Sequence, residues 1–195
     1  MSIAIPARRP VLADLLPAHR LRDATLVVAG AATVALVGQV AVPLPFTPVP
    51  ITLGTLAVLT VGGALGTARA TLSLSLYVLV GVLGAPVFAG ATGGWAAPSF
   101  GYVLGYIPAA ACAGWLSRRG ADRSYWRSAG SSAAATLLVY AMGVPWLAAA
   151  VGVGIREALI MGVLPFVAGD LAKAALAALP LPTIWRLCGE RPGQR

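Results

Sequence analysis

Four prolines fall within the eight residues Pro43-Leu44-Pro45-Phe46-Thr47-Pro48-Val49-Pro50, between two long apolar runs. Proline fixes φ and has no amide hydrogen, so this strap cannot be a helix. The residue before each proline is also pushed toward extended geometry. In lipid, non-helical backbone is tolerated only where it packs on protein or lines a cavity. The strap therefore reads as the lid or wall of a site, with a helix on either side of it.

The apolar runs decide the class. Of 195 residues, 58% are hydrophobic and only 10% are charged, against about 25% charged in soluble domains. The chain reads as an all-α polytopic membrane protein with one domain. A bilayer needs about 20 apolar residues per helix, and six segments approach that: 24–42, 51–66, 69–85, 99–117, 128–150 and 157–179. Residues 24–187 form the six-helix membrane domain, flanked by cytoplasmic tails at 1–23 and 188–195. Gly62, Gly63 and Gly66 weaken the end of the second helix. Gly143 and Pro145 are expected to break or kink the fifth. The run from Ala24 is too long for a signal peptide and lacks a cleavage site, so it reads as a retained first helix. Residues 1–23 carry Pro6, Pro10, Pro17 and mixed charges and read as loosely ordered.

Charge placement orients the helices. The net charge is +8. With the N-terminus in the cytoplasm, the inner segments hold Arg8, Arg9, Arg20, Arg22, Arg69, Arg118, Arg119, Arg123, Arg127, Arg186, Arg191 and Arg195, twelve of fourteen basic residues. Arg156 alone falls outside, and Lys173 lies within a helix. The positive-inside rule then puts both termini in the cytoplasm, in the cytoplasmic membrane of the cell. The loops near 43–50, 86–98 and 143–156 face out.

Several functions are excluded. No basic run alternates with aromatics, which argues against nucleic acid. The single histidine, His19, lies in the N-terminal tail without neighbouring ligands, and Cys112 and Cys188 lack metal-binding spacing. No Gly-x-x-x-x-Gly-Lys-Ser/Thr sequence is present to cradle nucleotide phosphates. No nucleophile–His–carboxylate set exists either, the one histidine lying in the tail.

The intramembrane charges carry the chemistry. Asp170 and Lys173 lie in Phe166-Val167-Ala168-Gly169-Asp170-Leu171-Ala172-Lys173. On a continuous sixth helix Asp170 would be roughly 20 Å below its outer end, at about 1.5 Å per residue. Charges in a membrane helix usually face a cavity or a partner. A self-neutralising pair at i, i+3 is the structural alternative. The pair offers an anionic acceptor beside a cationic donor, suited to a small ligand with N–H groups and a carboxylate. Gln39, Thr47, Thr52, Ser73, Ser75, Tyr77, Thr92, Gly93, Gly94, Trp95, Ser99 and Tyr102 are further polar, aromatic or glycine candidates near the strap, the third helix and the outer loop. Each hydroxyl has an alternative role in helix packing. Ala31 and Ala35 form a smooth stripe on the first helix, fitting internal packing or a docking face for another membrane protein.

These motifs together resemble a known family. Pro43-Leu44-Pro45-Phe46-Thr47-Pro48-Val49-Pro50-Ile51-Thr52-Leu53, with Gln39 upstream, is similar to the signature of the BioY family. Its members are biotin-binding membrane subunits, or S components, of energy-coupling factor (ECF) transporters. Gly84-Ala85-Pro86-Val87-Phe88-Ala89-Gly90 with Gly93-Gly94 resembles a second family motif. Pro98-Ser99-Phe100-Gly101-Tyr102 and Gly169-Asp170-Leu171 with Lys173 resemble two more. Ala31-x-x-x-Ala35 resembles the stripe by which S components dock on the coupling subunit.

The resemblance implies a bundle with a substrate pocket near the extracellular side. It implies binding rather than catalysis, with no cofactor: capture of biotin from outside and release inside, driven by a transmembrane coupling subunit and two ATPase subunits. Asp170, Lys173, Gln39, Phe46, Thr47, Phe88, Thr92, Gly93, Trp95, Ser99 and Tyr102 would surround biotin, and Ala31 and Ala35 would dock. Two departures stand out. Gly54 occupies a position where the family often has Gln, and the chain contains no asparagine. Thr92, Ser99 or a backbone group would replace the amide that the family can place near the ureido ring. An S component for another vitamin is the alternative within transport. A membrane-embedded enzyme using Asp170 as acid or base is the alternative outside it.

Overall fold

A computed structural model describes residues 9–17 and 21–188. Arg8, His19, Arg20, Arg191 and Arg195 lie outside the described residues. Helix α1 (Arg22–Val37) leads into the strands β1 (Ala41–Leu44) and β2 (Thr47–Thr52). Helices α2 (Gly54–Leu65), α3 (Thr67–Val82), α4 (Phe100–Ser117) and α5 (Tyr125–Val151) follow. Three shorter helices, α6 (Ile155–Gly162), α7 (Val167–Ala177) and α8 (Pro180–Leu187), come last among the described residues. The α4 and α5 helices and the run Val167–Leu187 are long and apolar enough to cross a membrane; α2 and α3 are shorter apolar helices.

The proline strap folds as an antiparallel β-hairpin, so the architecture is helical with one small two-stranded sheet. Ala41 pairs with Thr52, Val42 with Ile51, and Leu44 with Thr47. The register shifts between Val42 and Leu44, at Pro43, where the ladder loses a donor. A two-stranded hairpin tolerates prolines because each strand has an unpaired edge. The first helix accordingly ends at Val37, short of the expected residue 42.

Two other expectations change. Helix α5 runs unbroken through Gly143 and Pro145; a side chain on Gly143 would collide with the Tyr102 ring. The expected sixth helix is instead divided. Its backbone turns at Val163–Phe166, around Pro165, between α6 and α7, as the lost proline amide dictates.

Small residues let the helices approach. A Cβ on Gly62 would lie 2.8 Å from the Ala110 carbonyl on α4, and one on Gly105 would lie 2.8 Å from Val139 Cα on α5. Gly114 meets the α2–α3 turn, where a Cβ would fall 2.6 Å from Thr67 N. That turn depends on Gly66, whose φ of 77° is accessible to glycine at little cost. Where lipid supplies no hydrophobic drive, such close backbone approach is what holds helices together.

Residues 9–17, expected to be loosely ordered, pack against the bundle. Val11 is fully buried and Ala13 nearly so. Asp14 accepts from Arg69 of α3 at 2.7 Å and from Arg118, just after α4, at 3.2 Å. Burial pushes the Asp14 carboxyl up, but the hydrogen bond from Arg69 and the nearby guanidinium charges outweigh it and hold it below the ordinary range. At the same end Trp185 Nε1 donates to Asp122 at 2.7 Å, and Arg123 stacks on the Trp185 ring. Arg186 lies over Tyr125. Apart from Arg156 on α6, the described arginines near helix ends therefore gather at one end of the bundle, with the hairpin and its cavity at the other.

Candidate binding site

The turn at Pro165 decides where the intramembrane charges stand. Asp170 lies in the first turn of α7, not deep in a continuous helix, and a helix amino end favours a carboxylate. Asp170 Oδ1 accepts from Lys173 Nζ at 2.8 Å. Its other oxygen accepts from the Tyr140 hydroxyl of α5. Lys173 is buried, 7% exposed, and keeps N–H groups beyond the one given to Asp170.

Both charges line a cavity of about 440 Å³, within the range of small-molecule sites, roughly 300–1,000 Å³. One side is the hairpin, with Pro43, Leu44, Thr47 and Val49. Another is the loop after α3, with Phe88, Ala89, Gly90 and Thr92, and the segment opening α4, with Pro98, Ser99, Phe100 and Tyr102. Aromatic rings stack through the wall. Tyr77 meets Phe88 edge-on at 5.3 Å and Tyr106 at 6.5 Å, and Phe88 meets Phe100 at 6.1 Å. Among the described residues lining it, Asp170 and Lys173 are the only charged ones. An apolar chamber with a few convergent polar groups fits a small organic molecule.

The structure brings Asp170, Lys173, Thr47, Phe88, Thr92, Ser99 and Tyr102 together around this cavity. Thr52 and Tyr77 line it too. Four of the expected residues stand elsewhere. Gln39 has its amide committed to backbone: Nε2 donates to Val87 and Phe88 carbonyls at 3.0 and 3.1 Å, and Oε1 accepts from Ala91 N at 2.9 Å. It therefore shapes the cavity-lining loop instead of lining the cavity. Phe46, at the hairpin tip, and Trp95 are each 62% exposed, because the short turns that carry them point away from the chamber. Gly93 packs under its own loop, where a Cβ would lie 2.6 Å from the Ala85 carbonyl. Arg156 is exposed on α6 and does not line the cavity. Ser73 is buried against α1, its Oγ 2.5 Å from where a Gly30 Cβ would lie.

Ala31 belongs to the buried core and the half-buried Ala35 packs partly against it, so in this structure both touch the protein's own helices. The small outward residues of α1 are Ala24, Thr25, Ala29, Ala32 and Thr33. Sequence reasoning also missed Tyr140, Tyr106, Thr55 and Phe166, all of which line the cavity. A tyrosine in an apolar helix carries no local sign of the carboxylate it will meet.

The profile of the BioY family matches residues 9–190. The chain belongs to the BioY family. Among its relatives, the biotin transporter BioY of Rhizobium etli is 32% identical over 169 residues, 81% of this chain and 90% of that protein. The biotin transporter BioY of Thermotoga maritima is 36% identical over 157 residues, covering 79% of this chain and 91% of that one. A 2.1 Å crystal structure of the S-component for biotin from an ECF-type ABC transporter superposes with a TM-score of 0.77 at 24% identity. It covers 86% of this chain and 92% of that chain, so the two share a fold over most of their length.

Proposed function

We propose that this membrane protein captures biotin and serves as the substrate-binding S component of an ECF-type transporter. The observation that carries the reading is the Asp170–Lys173 pair facing an otherwise uncharged, aromatic-walled cavity. Biotin combines a cyclic urea, an apolar bicycle and arm, and a carboxylate. Asp170 accepts a ureido N–H, Lys173 donates to an acceptor of the ligand, and Phe88, Phe100 and Tyr102 cover the apolar parts. The names borne by its relatives point the same way.

The chain crosses the cytoplasmic membrane six times, with α6–α8 making the last pass. Both termini face the cytoplasm, and the cavity opens outward. The gathering of arginines at the end opposite the hairpin supports this orientation. Transport energy comes from a transmembrane coupling subunit and two ATPase subunits, which this chain meets through α1, the helix that carries Ala31 and Ala35. The protein does no chemistry on its ligand. Calorimetric titration of the purified protein with biotin, and with other vitamins as competitors, tests the reading. Tight, saturable, selective biotin binding is expected. Absence of biotin binding, or preference for another vitamin, overturns it.

A further inference from the structure

The cavity has a second polar wall. Thr52 ends β2, Thr55 lies in the first turn of α2, and Tyr106 projects from α4; all three line the chamber. The Tyr106 hydroxyl and the Thr52 hydroxyl both crowd the same point at the start of α2, at Gly54. Tyr106 is 7% exposed and Thr55 8%, so these groups face the cavity instead of bulk solvent.

Gly54 makes this cluster possible. A Cβ there would stand 2.8 Å from Tyr106 Oη and 3.2 Å from Thr52 Oγ1. Any larger residue, Gln included, would push the tyrosine hydroxyl off the start of α2. Thr52 Oγ1 already accepts from Gly54 N at 3.2 Å, which leaves its hydrogen to be donated. Leu53, the N-cap of α2, supplies no side-chain oxygen to the first amides of the helix, so this wall is neutral and rich in donors. Such a wall suits an uncharged carbonyl oxygen. A carboxylate is better matched by Lys173, the cation of the chamber. Tyr106 and Asp170 line the same chamber. One planar group can therefore meet an acceptor on one side and donors on the other.

We infer that Tyr106, with Thr52 and Thr55, binds the carbonyl oxygen of the ligand's cyclic urea while Asp170 takes an N–H of the same ring. The inference rests on the biotin reading above. The test compares wild type with Tyr106→Phe and Thr55→Val, using biotin and biotinamide, whose carboxylate is neutralised. Loss of a neutral hydrogen bond weakens binding roughly three- to tenfold. Tyr106→Phe is expected to weaken both ligands by the same factor, and Thr55→Val to do so more mildly, with unchanged elution of the purified proteins. Unchanged biotin affinity in both variants overturns the assignment, as does a loss confined to the ligand with a free carboxylate. If Tyr106→Phe fails to fold, Thr55→Val decides alone. A wild type that binds neither ligand overturns the biotin reading itself, an outcome distinct from a normal wild type with unaffected variants.

Discussion

Tyr140 of α5 donates its hydroxyl hydrogen to Asp170 of α7, tying the charged turn to the longest helix. Without that bond the carboxylate would be held by Lys173 alone on its own helix. Tyr140→Phe is expected to free the carboxylate and lower biotin affinity several-fold, within the range for one hydrogen bond to a charged group. Calorimetry on the variant checks this; unchanged affinity would show that Lys173 suffices to orient Asp170.

Removing either charge should do more. Asp170→Asn leaves Lys173 buried without its counter-ion, and Lys173→Met leaves Asp170 in the same position. Each is expected to weaken biotin binding roughly ten- to a hundredfold, from about 1.5–3 kcal/mol per charged hydrogen bond, while the protein still inserts in the membrane. Wild-type affinity in both variants would make the pair structural.

Gln39 links the end of α1 to the loop after α3 through three backbone partners in that loop. Gln39→Leu keeps the bulk and removes all three bonds. Faster amide exchange across residues 87–91 is expected, together with a faster biotin off-rate. A change in off-rate without faster exchange would instead mark Gln39 as a ligand contact.

Asp14 gives a pH signature. Its folded-state pKa is lowered, so its stabilisation is complete above the unfolded-state value and is lost as pH falls through the folded-state value. Asp14→Asn should therefore lower the thermal midpoint in detergent at neutral pH, by an effect of about 1–3 kcal/mol. In strong acid the two proteins should converge. A difference that persists in acid would assign the effect to packing.

Reporter fusions test orientation. A fusion at Arg195 is expected to report a cytoplasmic location and one near Gly93 an external location. An external C-terminus would mean that the helices from α6 onward do not form one complete pass.

The Asp170–Lys173 pair was legible because charge inside an apolar run is costly and must have a reason. The proline strap was legible as non-helical, though its pairing as a hairpin was not, since proline patterns restrict φ without naming a partner strand. Gln39 misled because an amide near a signature motif suits a ligand and a loop carbonyl equally; only the positions of Val87, Phe88 and Ala91 distinguish them. Tyr106 and Tyr140 were invisible because their roles depend on helix crossings. Those crossings are set by glycines such as Gly105 and Gly62, whose partners lie far away in sequence. Ala31 shows the same limit. The spacing of a stripe fixes which residues share a face, but not whether that face looks inward.

Across residues 41–52 the hairpin omits four amide hydrogens, at Pro43, Pro45, Pro48 and Pro50. A strand edge normally carries donors that must find water or a partner. Here a third of that segment has none to leave stranded, so the wall loses little when water leaves the chamber. It also offers a poor template for pairing with a neighbouring chain. The same prolines that rule out a helix give this protein a donor-poor, self-contained rim around its cavity.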